Sequence, residues 1–162
     1  MSNFQKTVEF NRVFGNEVPN TIQKDVFKHK IKDVKSRLAL VTEEVQELVD
    51  GVENNDLKEV IDALSDILVV TYGMGSFLGV DLDVTFDIVH KSNMSKLCKT
   101  EQEAIETVEW YLKNEQRYDS PAYKKSYDDK YWIVYNKSTN KILKNHSVLN
   151  SYTPANFDSL LE

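Results

Sequence analysis

Two acidic motifs flank one short turn. The first is Glu43-Glu44-Val45-Gln46-Glu47; the second is Glu59-Val60-Ile61-Asp62, with Asp66 one helical turn further. On helices, spacings of three and four place Glu43, Glu44 and Glu47 on one face, and likewise Glu59, Asp62 and Asp66. If the two helices fold back antiparallel about the ENND turn at 53–56, Glu47 lies level with Glu59 and Glu44 with Asp62. Asp66 then falls opposite Leu40, just outside the quartet, as an additional candidate.

Such a cluster is unfavourable alone. Two unit charges about 4 Å apart at an effective dielectric near 20 repel by roughly 4 kcal/mol. A divalent cation reverses the sign, and an all-oxygen ligand set selects a hard ion, Mg²⁺ or Mn²⁺, with coordination positions left for water and phosphate oxygens. Singly, each acid reads as solvated surface, and Glu59 also as the N3 partner of an Asp56 capping box. Paired on adjacent helices, one of them nearly all apolar, they read as a metal site. Other metal chemistries fail on spacing. A di-iron bundle wants Glu-x-x-His repeats, which His29, His90 and His146 do not supply. An EF-hand loop starting at Asp50 would need Gly at Asn55 and Glu at Ile61.

The elements that must position these acids follow from periodicity. The chain has 162 residues, 41% hydrophobic and 28% charged, enough for one domain with a core. Its 5 Gly and 3 Pro are too few for a turn-rich β protein. A helix is predicted over Ser2 to Phe14, then a loop at 16–20. Ile22, Val26, Ile31, Val34, Leu38, Val41, Val45 and Leu48 mark one long amphipathic helix from about Thr21 to Val52, closed near Gly51. Asp56 to about Phe77 is apolar on most faces, so that helix is central or covered by a partner subunit. Asp81 or Asp83 can cap a fourth helix, and Thr100 with Glu103 makes a capping box for a fifth ending near Glu115. Beyond Arg117 the chain turns Tyr- and Lys-rich. There 131–136 and 141–145 read as two strands of a hairpin. The expected division is 1–116, helical, and 117–162, an extension.

Composition excludes further classes. With 26 Asp and Glu against 20 Lys and Arg, a net charge of -6, a broad basic footprint for duplex nucleic acid is absent. One cysteine, Cys98, rules out a disulfide framework and a multi-thiolate zinc site. MSNFQKTVEF lacks a signal-peptide core, and the apolar stretch near Ile67 to Gly79 is too short and interrupted to span a bilayer. A soluble, cytoplasmic protein with no membrane partner is expected.

EExxE, then ExxD within EVIDALSDILVVTYG, then FDIVHKSNMSKL, resembles the all-α nucleoside triphosphate pyrophosphatase superfamily, which includes MazG-type proteins. The similarity covers about residues 4–98 and is strongest toward phosphoribosyl-ATP pyrophosphohydrolase-like members. It implies a mainly α, MazG-like helical bundle completed by oligomerisation, here with a small C-terminal β-hairpin. It implies Mg²⁺ ligation by Glu44, Glu47, Glu59 and Asp62, with Glu43 beside them. It further implies triphosphate binding by Asn93 and Lys96, and a homodimer or tetramer whose helices complete each other's sites. The implied reaction takes a nucleotide to its monophosphate and pyrophosphate.

Asn93 and Lys96 lie three apart on one helix face, a sensible amide and point charge for phosphate, with Lys91 a third cation. Glu47 or Glu43 could orient or deprotonate the attacking water, and sequence leaves the two open. His90 and Cys98 read as non-catalytic. The segment 11–20 is a candidate lid facing the base, and the Phe10/Phe14 pair and Tyr72 read as packing. The aromatic tail reads as packing on its own domain or a sister subunit, with nucleic acid an unlikely partner. The expected activity is Mg²⁺-dependent hydrolysis of a dUTP-like or modified nucleoside triphosphate. The alternatives are phosphoribosyl-ATP hydrolysis in histidine biosynthesis and a non-catalytic helical assembly module.

Overall fold

The computed structural model describes residues 1–162 as 56% helix with a small antiparallel sheet near the C-terminus. Helix α1 (Asn3–Val13) starts at a capping box in which Ser2 accepts from Gln5 N and the Gln5 side chain accepts from Ser2 N. The predicted long helix is interrupted. Residues 21–25 are not helical, α2 is only Val26–His29, and Lys30 leaves the helical basin (φ -131°) before α3 (Ile31–Glu53). Gln23 N donates to Leu78 O at 2.9 Å, which ties the non-helical 21–25 segment to the C-terminal end of the helix that closes at Leu78.

Helix α4 (Leu57–Leu78) is capped by Asp56, whose Oδ1 accepts from Lys58 N and Glu59 N at 3.0 and 3.2 Å. Gly79 ends it in the left-handed region (φ 71°). The turn between α3 and α4 has its apex at Asn55, also left-handed (φ 55°). Arg37 meets Gly73, and Gly51 meets Glu59, so both observed pairs are centred on Asn55. The expected register is therefore corrected by about one turn. Glu44 lies level with Asp66, Glu47 with Ala63, and Glu59 with Gly51. The reason is that α3 runs on past Gly51, whose missing side chain lets the helices close tightly near the apex.

By length and composition α4 could cross a membrane, with a mean hydropathy of 1.4. The shorter stretch read from sequence understated it. Its buried positions are Ala63, Gly73, Gly75, Ser76 and Phe77, while Leu57, Ile61, Leu64 and Leu68 form an exposed apolar stripe. On α3, Leu38, Val45, Val49 and Val52 are likewise exposed.

Helix α5 (Leu82–Met94) is capped by Asp81, and α6 (Glu101–Asn114) by Thr100. Glu103 does not close the expected box on Thr100; its carboxylate accepts from Lys99 N, one residue earlier, at 2.7 Å. The sheet has three strands in the order β1 (Pro121–Lys125), β2 (Trp132–Asn136), β3 (Lys141–Ile142). The predicted hairpin is the β2–β3 pair. Strand β1, PAYKK, lacks alternation and owes its form to pairing with β2 in the register Tyr123–Val134. A final helix, α7 (Asp158–Leu161), is too short for periodicity to reveal.

The chain clusters into two compact units, Met1–Phe86 with Phe157–Glu162, and Asp87–Asn156. The compositional change at residue 117 thus falls inside the second unit. Its core is Cys98, Ala104, Tyr111, Val134 and Leu143, which unites α6 with β2 and the segment after it. Buried Asn145 ties that segment down, donating to Leu97 O and accepting from Thr107 Oγ1. The first unit buries Val26, Val34 and Phe77.

Candidate active site

Glu44 is the acid whose surroundings differ from ordinary surface. It is half-buried, and its Oε2 is out of solvent with no hydrogen-bond partner. Loss of hydration raises its pKa above the ordinary carboxylate value, and the negative fields of Glu47, Asp66, Glu43 and Asp62 raise it further. Native structures seldom leave a buried polar atom unpaired, so this oxygen points to a missing cationic partner. Asp66 is half-buried, whereas Glu43, Glu47, Glu59 and Asp62 are exposed.

The α3–α4 register decides which acids meet. It brings Asp66 to the level of Glu44, nearer than sequence spacing suggested. Glu59 instead lies against Gly51 at the apex, with its backbone N–H given to Asp56. The reciprocal half of that capping box is missing, since Asp56 N donates to Gly51 O. Glu43 and Glu47 line an open groove along α3 with Leu38 and Thr42. No three or more His, Cys, Asp or Glu side chains are gathered closely enough to hold a metal ion between them as they stand. The donor set around Glu44 is nevertheless all carboxylate oxygen, which suits a hard divalent ion.

A cavity of about 520 Å³ lies between α1, α3 and α4. Leu40, one turn before Glu44, lines it together with Phe10, Asn11, Asn16, Arg37 and Phe77. Buried Asn11 donates to Ser76 Oγ at 3.1 Å and accepts from Asn16 Nδ2 at 3.0 Å. Arg37 donates to Gly73 O at 3.3 Å and lies 4.6 Å from the Phe77 ring centroid. Burial lowers the Arg37 pKa, opposed by Asp33. Sequence reasoning missed Arg37 and Asn11. The signal for Arg37 was its place between Val34 and Leu38 on the apolar stripe of α3, where a charge needs a reason. The segment 11–20 contributes Asn11, Gly15, Asn16 and Glu17 to this lining. The ring pair Phe10–Phe14 packs at 4.4 Å, and Tyr72 donates to Asp83 at 3.2 Å.

Lys91 and Asn93 are exposed on the last turns of α5, and Lys96 Nζ donates to Asn93 Oδ1 at 2.7 Å. They belong to the second unit.

Residues 7–93 match the model of the phosphoribosyl-ATP pyrophosphohydrolase family. The match spans more than half the chain and contains both acid motifs and Asn93. The chain belongs to the phosphoribosyl-ATP pyrophosphohydrolase family. It is also similar to an uncharacterized protein of Acanthamoeba polyphaga mimivirus, 31% identical in an alignment that covers 99% of this chain and 96% of the relative. Phosphoribosyl-ATP pyrophosphohydrolase family membership supports a nucleotide pyrophosphohydrolase-like activity for the helical unit, and MazG-like members generally use Mg²⁺. The family match ends before Lys96 and before the whole sheet.

Proposed function

We propose that this protein is a Mg²⁺-dependent hydrolase of a nucleoside or deoxynucleoside triphosphate, releasing the monophosphate and pyrophosphate in the cytoplasm. The observation that carries the reading is the unpartnered, solvent-excluded Glu44 Oε2 in a field of four other carboxylates. Glu44, Glu47, Glu59 and Asp62, the expected set, are the proposed ligands, with Asp66 added because the register brings it level with Glu44. A bound Mg²⁺, or Mn²⁺, would neutralise phosphate oxygens and lower the pKa of a water at the site.

The chain's own residues supply the rest. Glu47 or Glu43 holds and deprotonates the attacking water, both being exposed on the same stretch of α3. The cavity beside Leu40 takes the base, with the Asn11–Asn16 pair and Phe10 offering amide and ring contacts. Asn93 and Lys96, with Lys91 nearby, are proposed for the phosphates on the strength of the resemblance.

A second copy of the chain is the proposed cover for the exposed stripes of α3 and α4, giving a dimer or tetramer. The test of the whole reading is pyrophosphate release from a panel of ribo-, deoxyribo- and modified triphosphates and phosphoribosyl-ATP, with and without Mg²⁺, in wild type and Glu47→Gln. Turnover of phosphoribosyl-ATP alone would select the histidine-biosynthesis alternative. Absence of Mg²⁺-dependent release from every member would leave the non-catalytic assembly reading.

A further inference from the structure

We infer that the second unit carries a polyphosphate-binding pocket of its own, formed by Lys96, Arg117, Lys141 and Lys144. These side chains line a cavity of about 390 Å³, within the roughly 300–1,000 Å³ range of small-molecule sites. Three of the four residues lie far beyond the family match.

Three of the four cations are held without an ion-pair partner, while Glu115, which also lines the cavity, pairs with the fourth. Lys96, Lys141 and Lys144 form no ion pair, and only Arg117 does, through Nε to Glu115 Oε2 at 2.7 Å. Aromatic faces do the holding. Arg117 and Lys141 lie 4.9 and 5.5 Å from the Tyr118 ring centroid, and Lys144 lies 4.6 Å from that of Tyr152. A ring quadrupole attracts a cation but leaves its full charge available to an anion. Lys96 is steered the same way by a neutral group, the Asn93 amide oxygen.

The backbone around the lysines is fixed. Lys144 N donates to Tyr111 Oη, and His146 N donates to Thr107 Oγ1, each at 3.0 Å. The His146 ring stacks on Trp110 at 3.6 Å. Burial, aided by Lys144, keeps His146 below its ordinary pKa, so the ring adds no cation of its own. Three lysines without an ion-pair partner and one arginine, set against the single carboxylate Glu115 in the lining of one cavity, leave an excess of positive charge that suits a compact, multiply charged anion such as a di- or triphosphate. A nucleic-acid strand would instead need a continuous groove and free aromatic faces, and here one face of Trp110 is already covered by His146.

The pocket shares Lys96 with the proposed reaction, so binding is measured where turnover is silent. The full-length chain in EDTA is titrated with inorganic pyrophosphate and triphosphate by calorimetry. One binding event is expected, with affinity reduced about tenfold or more in the Lys141→Gln/Lys144→Gln protein. It should be retained in Lys141→Arg/Lys144→Arg, which also controls for folding. Lys124→Gln/Lys125→Gln on β1 makes the same charge change outside the cavity and should leave affinity within about twofold. No pyrophosphate binding by wild type, equal loss in both Gln pairs, or oligothymidylate binding that pyrophosphate does not displace would each overturn the assignment. Loss of catalysis in Glu47→Gln with pyrophosphate binding intact separates this pocket from the acid site.

Discussion

Gly51 and Glu59 touch across the apex of the α3–α4 hairpin: a Cβ on Gly51 would stand 3.2 Å from Glu59 Cβ and Cγ and from Val60 Cγ2. That contact sets the register that brings Glu44 level with Asp66. Gly51→Val should therefore force the apex apart and cost about 1–3 kcal/mol, measured by urea unfolding. Its Mg²⁺-dependent thermal stabilisation should shrink as well. A valine variant as stable as wild type would show that the apex is not tight.

Glu44→Gln should separate stability from function. The folded state raises the Glu44 pKa, so the folded chain binds that proton more tightly than the unfolded chain does. Stability from this group is then lost as pH rises through and above the ordinary carboxylate value, about 4.3. At pH 7 without divalent ions the Gln protein should melt higher than wild type. With Mg²⁺ wild type should gain stability and the variant should not, while pyrophosphate release disappears. A wild type whose melting ignores Mg²⁺ would count against the site.

At Gly79 a side chain has nowhere to go. Its φ is 71°, and an added Cβ would fall 2.1 Å from Thr21 O, a backbone atom that cannot swing aside. Gly79→Ala combines the left-handed penalty with that clash, and should lose about 2–4 kcal/mol in chemical denaturation. A loss below about 1 kcal/mol would mean that the 21–25 segment is free to shift.

His146 predicts an acid-side weakness in the second unit. Burial and then Lys144 depress its folded pKa, so the unfolded chain takes up the proton first as pH falls. Its contribution is full above the unfolded value of about 6.5 and declines below it. Between pH 7 and 5.5, wild type should lose more stability than His146→Gln, followed by Trp fluorescence. Identical pH slopes would remove the effect.

Cys98 is fully buried, and burial pushes its thiol up to about 11. Native protein at pH 8 should react with a disulfide reagent only as fast as it unfolds, and in urea at once. Rapid native labelling would contradict the burial.

The helical class, the two acid motifs and the β2–β3 hairpin were legible because each rests on local spacing. Three- and four-residue steps declare helices wherever apolar residues repeat, and acids at such spacing share a face whatever surrounds them. The break at Lys30 was not legible, since nothing local in KHKIKD forbids a helix, and the non-helical 21–25 segment was not legible because it is held by Gln23 bonded to Leu78. Strand β1 escaped for the same reason, its form coming from β2.

The acidic residues and their helices were thus set by sequence alone, and with them the family. Which carboxylates face one another was decided only in three dimensions. A turn whose apex moves by two residues slides one helix along the other by a full turn, exchanging Asp62 for Asp66 opposite Glu44. No intrahelical spacing carries that information, because it depends on where Asn55 turns left-handed and on how closely Gly51 lets the second helix approach. The gathering of Lys96 with Arg117, Lys141 and Lys144 has the same origin: their separation along the chain is closed by packing of α6 against the sheet, where Tyr118, the ring beneath Arg117 and Lys141, is half-buried against the core.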